Sequence, residues 1–199
     1  MSDYADDIPP GTEVTVLTVG HAHHSVEHYL RLLRLHGVDV VVDIRSRPYA
    51  RHAEHFNREQ LAPTLEAADV GYLWLGERLG QRPDGDEYYD EAGHVLYDRI
   101  ASRKWFLKDI GRVEYEAERR RVALTCLEEE PERCHRYWLL GRVLAERGAR
   151  VVHVRRDGSV EGQADVDHRL GITQGSLFDE PRPWRSPQPM RDAHGGTSA

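Results

Sequence analysis

The sequence predicts an α/β fold, a Rossmann-like three-layer sandwich on five mostly parallel strands. Three observations predict it. Short apolar, β-branched runs recur five times along the chain. Stretches with apolar residues at helical spacing separate them. The runs are continuous, as in Val40-Val41-Val42, rather than alternating, which suits parallel strands covered on both faces.

The elements follow in order. Thr15 to Val19, ending at Gly20, reads as the first strand. Ser25 can cap a helix carrying Val26, Tyr29, Leu30, Leu32, Leu33 and Leu35, closed by Gly37. Val38 to Ile44 is the second strand. Asn57, with Gln60 three residues on, predicts a capping box for a helix towards Ala68, weakened in its middle by Pro63. Gly71 to Leu75 is the third strand, and Gly76 to Gly93 reads as a polar loop. A long helix is expected over Leu96 to Arg119, broken near Gly111. Val122 to Leu127 is the fourth strand. Pro131 stands as an N1 proline before a helix from Cys134 to Arg147, closed by Gly148. Val151 to Val154 is the fifth strand. The expected organisation is a disordered acidic leader over 1–12, one α/β domain over 13–165 and a C-terminal tail over 166–199, disordered from Pro181 on.

Composition narrows the function. The 199 residues carry 27 Lys+Arg against 34 Asp+Glu, a formal charge of -7, so no whole-protein basic footprint for nucleic acid exists. No run of eighteen apolar residues occurs and the N-terminus lacks an apolar signal core, so a membrane location is not expected. Two cysteines, Cys126 and Cys134, are too few for a disulfide scaffold, and a reducing cytoplasmic setting is the expectation.

In a parallel sheet, ligands bind beyond the carboxyl ends of the strands. That rule selects His21 after strand one, Asp43 and Arg45 after strand two, and Cys126 and Glu128 after strand four. The next helix opens on Cys134, His135 and Arg136. With strand order 3-2-1-4-5, His21 is expected to face Cys126 and Glu128, with Asp43 one strand away. Asp43 is a candidate general acid/base, or an ion-pair partner of Arg45 or Arg51 that holds the loop. Arg45, Arg47 and Arg51 surround a proline-stiffened turn that could clamp phosphate. Glu128-Glu129-Glu130 would repel phosphate, which excludes a phosphatase-type cysteine loop at Cys126. A zinc reading of Cys126, Cys134, His135, His21 and Glu128 is set aside, because no C-x-x-C pair exists, and no metal or other cofactor is expected. A basic stretch from Arg99 to Arg121, with Trp105 and Phe106 interleaved, reads equally as a nucleic-acid contact or as a solvated face paired with Glu114, Glu116 and Glu118.

Several of these residues carry a resemblance. Asp43-Ile44-Arg45-Ser46-Arg47-Pro48-Tyr49-Ala50-Arg51 resembles the D-V-R-x-x-P-x-S-R segment of the family called domain of unknown function 488. Thr18-Val19-Gly20-His21 is similar to its T-x-G-H opening, and Cys126-Leu127-Glu128 with Cys134-His135-Arg136 to its C-x-E…C-H-R segment. Ala22 and Ala50 stand where that pattern has hydroxyl residues, so no hydroxyl is expected there. The resemblance implies a fold and a pocket, not a reaction. Beyond the domain, Gln174-Gly175-Ser176-Leu177-Phe178 resembles the Q-x-x-L-F peptide by which bacterial DNA repair and replication proteins bind the sliding clamp.

The functional expectation is a DNA-associated repair or base-processing protein, a glycosylase- or nuclease-like hydrolase tethered to the clamp. Its expected catalytic residues are Asp43, Glu128 and His21. Arg45, Arg51, Cys126, His135 and Arg136 are expected to bind substrate, and Gln174, Leu177 and Phe178 to bind the clamp. The alternatives are a non-catalytic nucleotide or small-anion binding module, and a small-molecule hydrolase unrelated to DNA.

Overall fold

A computed structural model describes residues 14–80, 82–172 and 184–191. Its strands are β1 (Thr15–Gly20), β2 (Val40–Asp43), β3 (Gly71–Trp74), β4 (Val122–Cys126), β5 (Arg150–Val154) and β6 (Val160–Gly162). Its α-helices are α1 (Val26–Leu35), α2 (Arg58–Glu66), α3 (Gly76–Leu79), α4 (Tyr97–Ala101), α5 (Lys104–Ala117), α6 (Arg142–Glu146) and α7 (Gln163–Arg169). The sheet runs β3-β2-β4-β1-β5-β6; β6 is antiparallel to β5 and the other neighbours are parallel. The α/β three-layer class therefore stands, with a sixth, short edge strand. The expected order 3-2-1-4-5 is corrected, because β4 lies between β1 and β2.

Side chains alternate across the sheet, and each face is covered. Leu17, Val19, Val41 and Ala123 pack against Tyr29, Leu32 and Leu33 of α1 and Leu61 and Leu65 of α2. Val16, Val40, Val42, Val122 and Leu124 pack against Phe106, Ile110 and Val113 of α5 and against the segment holding Leu139, Leu140 and Leu144. Burying each such side chain contributes about 1.5–3 kcal/mol, which is what the continuous valine runs are for. Among the described residues no helix is long and apolar enough to cross a membrane.

Four local expectations are corrected. The region over Gly76 to Gly93 is not all loop: it holds α3 and a 3₁₀ turn at Asp86–Tyr88. The helix after Leu96 breaks at Ser102 and Arg103, not at Gly111. Tyr97 and Ile100 are buried on α4, and Phe106, Ile110 and Val113 on α5. At 100° per residue these two sets fall on opposite sides of one continuous helix, which would carry Lys104 into the core. The break rephases the chain. Asn57 starts α2 without capping it by its side chain, whose Oδ1 instead accepts the Ala50 N–H at 2.6 Å. Finally, Cys134 is extended backbone between a 3₁₀ turn (Pro131–Arg133) and a π-helical turn (Arg136–Gly141) that leads into α6.

The domain also extends beyond residue 165. Val166 of α7 is fully buried. Residues 184–191, within the expected disordered tail, pack on the domain: Leu96 pairs with Arg185, and Ser186 Oγ accepts the Val95 N–H at 3.0 Å. The clamp-like peptide, with Gln174, Leu177 and Phe178, lies outside the described residues.

Candidate functional site

The carboxyl ends of β1, β2 and β4 meet at one edge of the sheet. Pairing of β1 with β4 continues past the strand ends, the His21 N–H donating to Cys126 O at 3.0 Å and the Ala22 N–H to Leu127 O at 2.8 Å. This extension sets His21 beside Cys126. Two glycines permit the close approaches that frame the edge. A Cβ at Gly20 would meet Glu128 O at 2.0 Å, and one at Gly76 would meet Arg45 O at 1.9 Å.

A cleft of about 260 Å³ opens there, lined by His21, Arg45, Ser46, Arg47, Tyr49, Ala50, Arg82, Cys126, Leu127 and His135. Its charged lining residues are three arginines, without a carboxylate. Arg47 and Arg82 are exposed and carry no ion pair among the described residues. Tyr49 and Leu127 present apolar surface, 64% and 46% exposed.

Asp43 stands behind this lining. It is fully buried at the end of β2, and four donors reach it. Arg45 donates from its backbone N at 3.0 Å, from Nε at 2.9 Å and from Nη2 at 2.5 Å, and the Tyr72 hydroxyl donates at 2.7 Å. The fork of Arg45 is thus bidentate on the carboxylate, the strong form of a charge-assisted pair. The Arg45 Nη2 group also donates to Phe56 O at 2.9 Å, and Nη1 to His21 Nε2 at 3.0 Å. Because a guanidinium can only donate, Nε2 of His21 is the acceptor and its proton sits on Nδ1. The His21 ring stacks on Phe56, with centroids 4.2 Å apart. Burial, and then the Arg45 charge, lower its pKa to about 3, so it is a neutral imidazole at pH 7.

The β4 side is built differently. Cys126, Cys134 and His135 are all buried. His135 Nδ1 lies 3.9 Å from the Cys126 sulfur and 3.5 Å from the Cys134 sulfur. The Arg136 N–H donates to Cys134 Sγ at 3.4 Å. Hydrogen bonding to Cys134, and then burial, push the Cys126 thiol well up. Burial also raises Cys134, but the hydrogen bond from Cys126 and the Arg136 charge outweigh it and leave the thiol below its usual value.

The remaining sequence candidates lie around this core. Arg136 is fully buried and clamps the loop after β4, donating to Glu128 O at 2.6 Å and to Glu129 O at 2.5 Å. Neither Arg136 nor the partly exposed Glu128 lines the cleft, and Arg51 is exposed outside it. Along the basic stretch, Arg120 pairs with Glu116, Arg119 with Glu118 and Arg112 with Asp109. Phe106 is fully buried there. Those pairs are what the solvated-face alternative expects of Glu116 and Glu118, whereas Glu114 pairs with Arg147 outside the stretch. Sequence reasoning missed Tyr49, Arg82 and Leu127 in the lining and Tyr72 as the partner of Asp43. Tyr49 and Leu127 sat inside recognised segments, and their exposure was the missing signal.

A family model described as Domain of unknown function DUF488 matches residues 25–143, more than half of the chain, and that span contains every cleft residue but His21. No curated protein and no solved structure matches the chain.

Proposed function

The chain belongs to the DUF488 family, and from that premise we propose that it binds a nucleotide unit of a DNA strand in the cleft and processes its base as a cytoplasmic hydrolase. One observation carries the reading: a chain of formal charge -7 lines its cleft with Arg47 and Arg82, which carry no ion pair among the described residues, beside Arg45, whose charge Asp43 offsets from behind. Arg47 and Arg82 receive phosphate, and Tyr49 and Leu127 offer a surface on which a base can stack. The cleft, about 260 Å³, lies just below the range of about 300–1,000 Å³ of drug-sized pockets, so it suits a base with part of its sugar-phosphate. His21, Arg45, Cys126 and His135 are the polar groups at hand for the bound base.

No proton is routed through Asp43 in this reading. Its carboxylate fixes Arg45, and Arg45 fixes His21, so Asp43 acts as a positioning residue. The same engagement favours a second reading, a nucleotide- or anion-binding module without turnover. In the first reading Gln174, Leu177 and Phe178 tether the protein to the sliding clamp. A clamp pull-down that survives Leu177→Ala with Phe178→Ala would remove that part.

The test of binding is a salt series with labelled single-stranded oligonucleotides, some carrying damaged bases. The Arg47→Ala/Arg82→Ala variant should bind more weakly. Its salt slope should be shallower by about 1.4, two phosphate contacts at about 0.7 each on a single strand. Equal affinity and slope in the variant would overturn the cleft reading. Binding without product on any oligonucleotide would leave the module.

A further inference from the structure

We infer that Cys126, Cys134 and His135 form a binding site for one zinc-like divalent ion at the floor of the cleft, contrary to the expectation from cysteine spacing. Cys126 ends β4, and the chain returns through the Pro131–Arg133 turn to place Cys134 and His135 against it. One ligand atom from each of the three lies within 4.8 Å of the other two. Tetrahedral zinc, with bonds of about 2.3 Å to sulfur and about 2.0 Å to nitrogen, places sulfur and nitrogen ligands about 3.5 Å apart. The observed separations from His135 Nδ1 are 3.5 and 3.9 Å.

The chemistry of the set fits the same ion. Two thiolates and a neutral imidazole balance a divalent charge, so the loaded site is neutral and suits full burial. The Arg136 N–H on Cys134 Sγ, at 3.4 Å, is the kind of outer contact that steadies a metal thiolate. His135 Nε2 is buried without a protein hydrogen bond, and once Nδ1 ligates, it becomes a donor for a bound ligand. Three protein ligands on a cleft leave a fourth position for water or a substrate atom, the pattern of catalytic rather than structural zinc. Cys126 and His135 line that cleft.

The inference does not depend on the nucleotide reading, and its test uses no nucleotide. Reduced full-length protein is titrated with cobalt and with zinc. One equivalent should bind tightly, cobalt should give the visible bands of a tetrahedral site and thiolate charge transfer, and zinc should slow alkylation of the two buried thiols in mild denaturant, where the metal-free protein opens and reacts. Cys126→Ser, Cys134→Ser and His135→Gln should each weaken binding by more than about 100-fold, beyond the loss from an outer-shell partner. Far-ultraviolet dichroism checks that each variant is folded. Should a variant unfold, the alkylation and cobalt measurements on the unaltered protein still decide. Binding with neither thiolate bands nor thiol protection overturns the site, since surface histidines would then be the ligands. So does reduced protein that binds no metal and forms a Cys126–Cys134 disulfide in air.

Discussion

The two walls of the cleft use buried polar side chains in opposite ways. On the β2 wall, Asp43 receives four hydrogen bonds, and Arg45 joins it to Phe56 O and to His21, whose Nδ1 alone is left without a partner in this network. On the β4 wall, Cys126, Cys134 and His135 meet one another and one backbone N–H, and His135 Nε2 has no partner. A buried group with its hydrogen bonds complete maintains shape; one with bonding capacity left is where a ligand gains most. Asp43, the carboxylate that stands out in the sequence, is the more fully partnered of the two sets, and in the proposed reading it holds the site while the Cys126, Cys134 and His135 set meets the ligand.

The largest expected effect tests the scaffold. Asp43→Ala leaves Arg45 as an uncompensated buried charge and should cost about 3–5 kcal/mol in urea denaturation. A loss below about 1 kcal/mol would show that the pair is not architectural and would erase the contrast between the walls.

The next effect is in pH. Burial, with the Arg45 charge second, holds His21 near a pKa of about 3, and burial, with the Arg136 charge second, does the same for His153. The unfolded residues titrate near 6.5, so the unfolded chain takes up protons first as pH falls. The contribution is complete above about pH 6.5 and is lost progressively towards about pH 3. Between pH 7.5 and 5.5 the two histidines should together remove about 3 kcal/mol of stability. His153→Asn, which can keep a bond to Thr18 or Gln163, should recover about half of that slope. An unchanged slope would mean that His153 is protonated in the fold.

A smaller effect sharpens the contrast. Tyr72→Phe removes one of the four donors to Asp43 and should cost about 1–2 kcal/mol while leaving ligand affinity within about twofold. The smallest lies on the other wall. Cys134→Ala in metal-free protein should cost about 1 kcal/mol, because a free buried cysteine behaves as a small apolar residue. A loss matching that of Asp43→Ala would make the β4 wall a scaffold too.

The legible parts of the molecule were the local ones. Val40-Val41-Val42 and the Tyr29, Leu32, Leu33 stripe announce a strand and a helix from a few neighbouring residues, and the α/β class follows from their alternation. Strand order was not legible, because nothing within β4 says that it inserts between β1 and β2. Gly111 looked like the helix break on propensity, yet it sits within α5, while the mismatched phase of Ile100 and Phe106 fixes the break eight residues earlier at Arg103. The candidate site was legible as positions at strand ends: His21, Arg45, Cys126 and His135 do share a cleft. What each does there depends on partners distant in sequence. Tyr72 completes Asp43 from β3, and Pro131 turns Cys134 back onto Cys126.

Ligand binding in the arginine-lined cleft, as proposed, is read by a hydrogen-exchange footprint of the full chain with saturating single-stranded oligonucleotide. Protection is predicted in the segments 45–50, 82–85 and 127–128, with β2 and β4 unchanged because their amides are already locked in the sheet. Protection confined to α5, with the cleft segments exchanging as in the free protein, would contradict it.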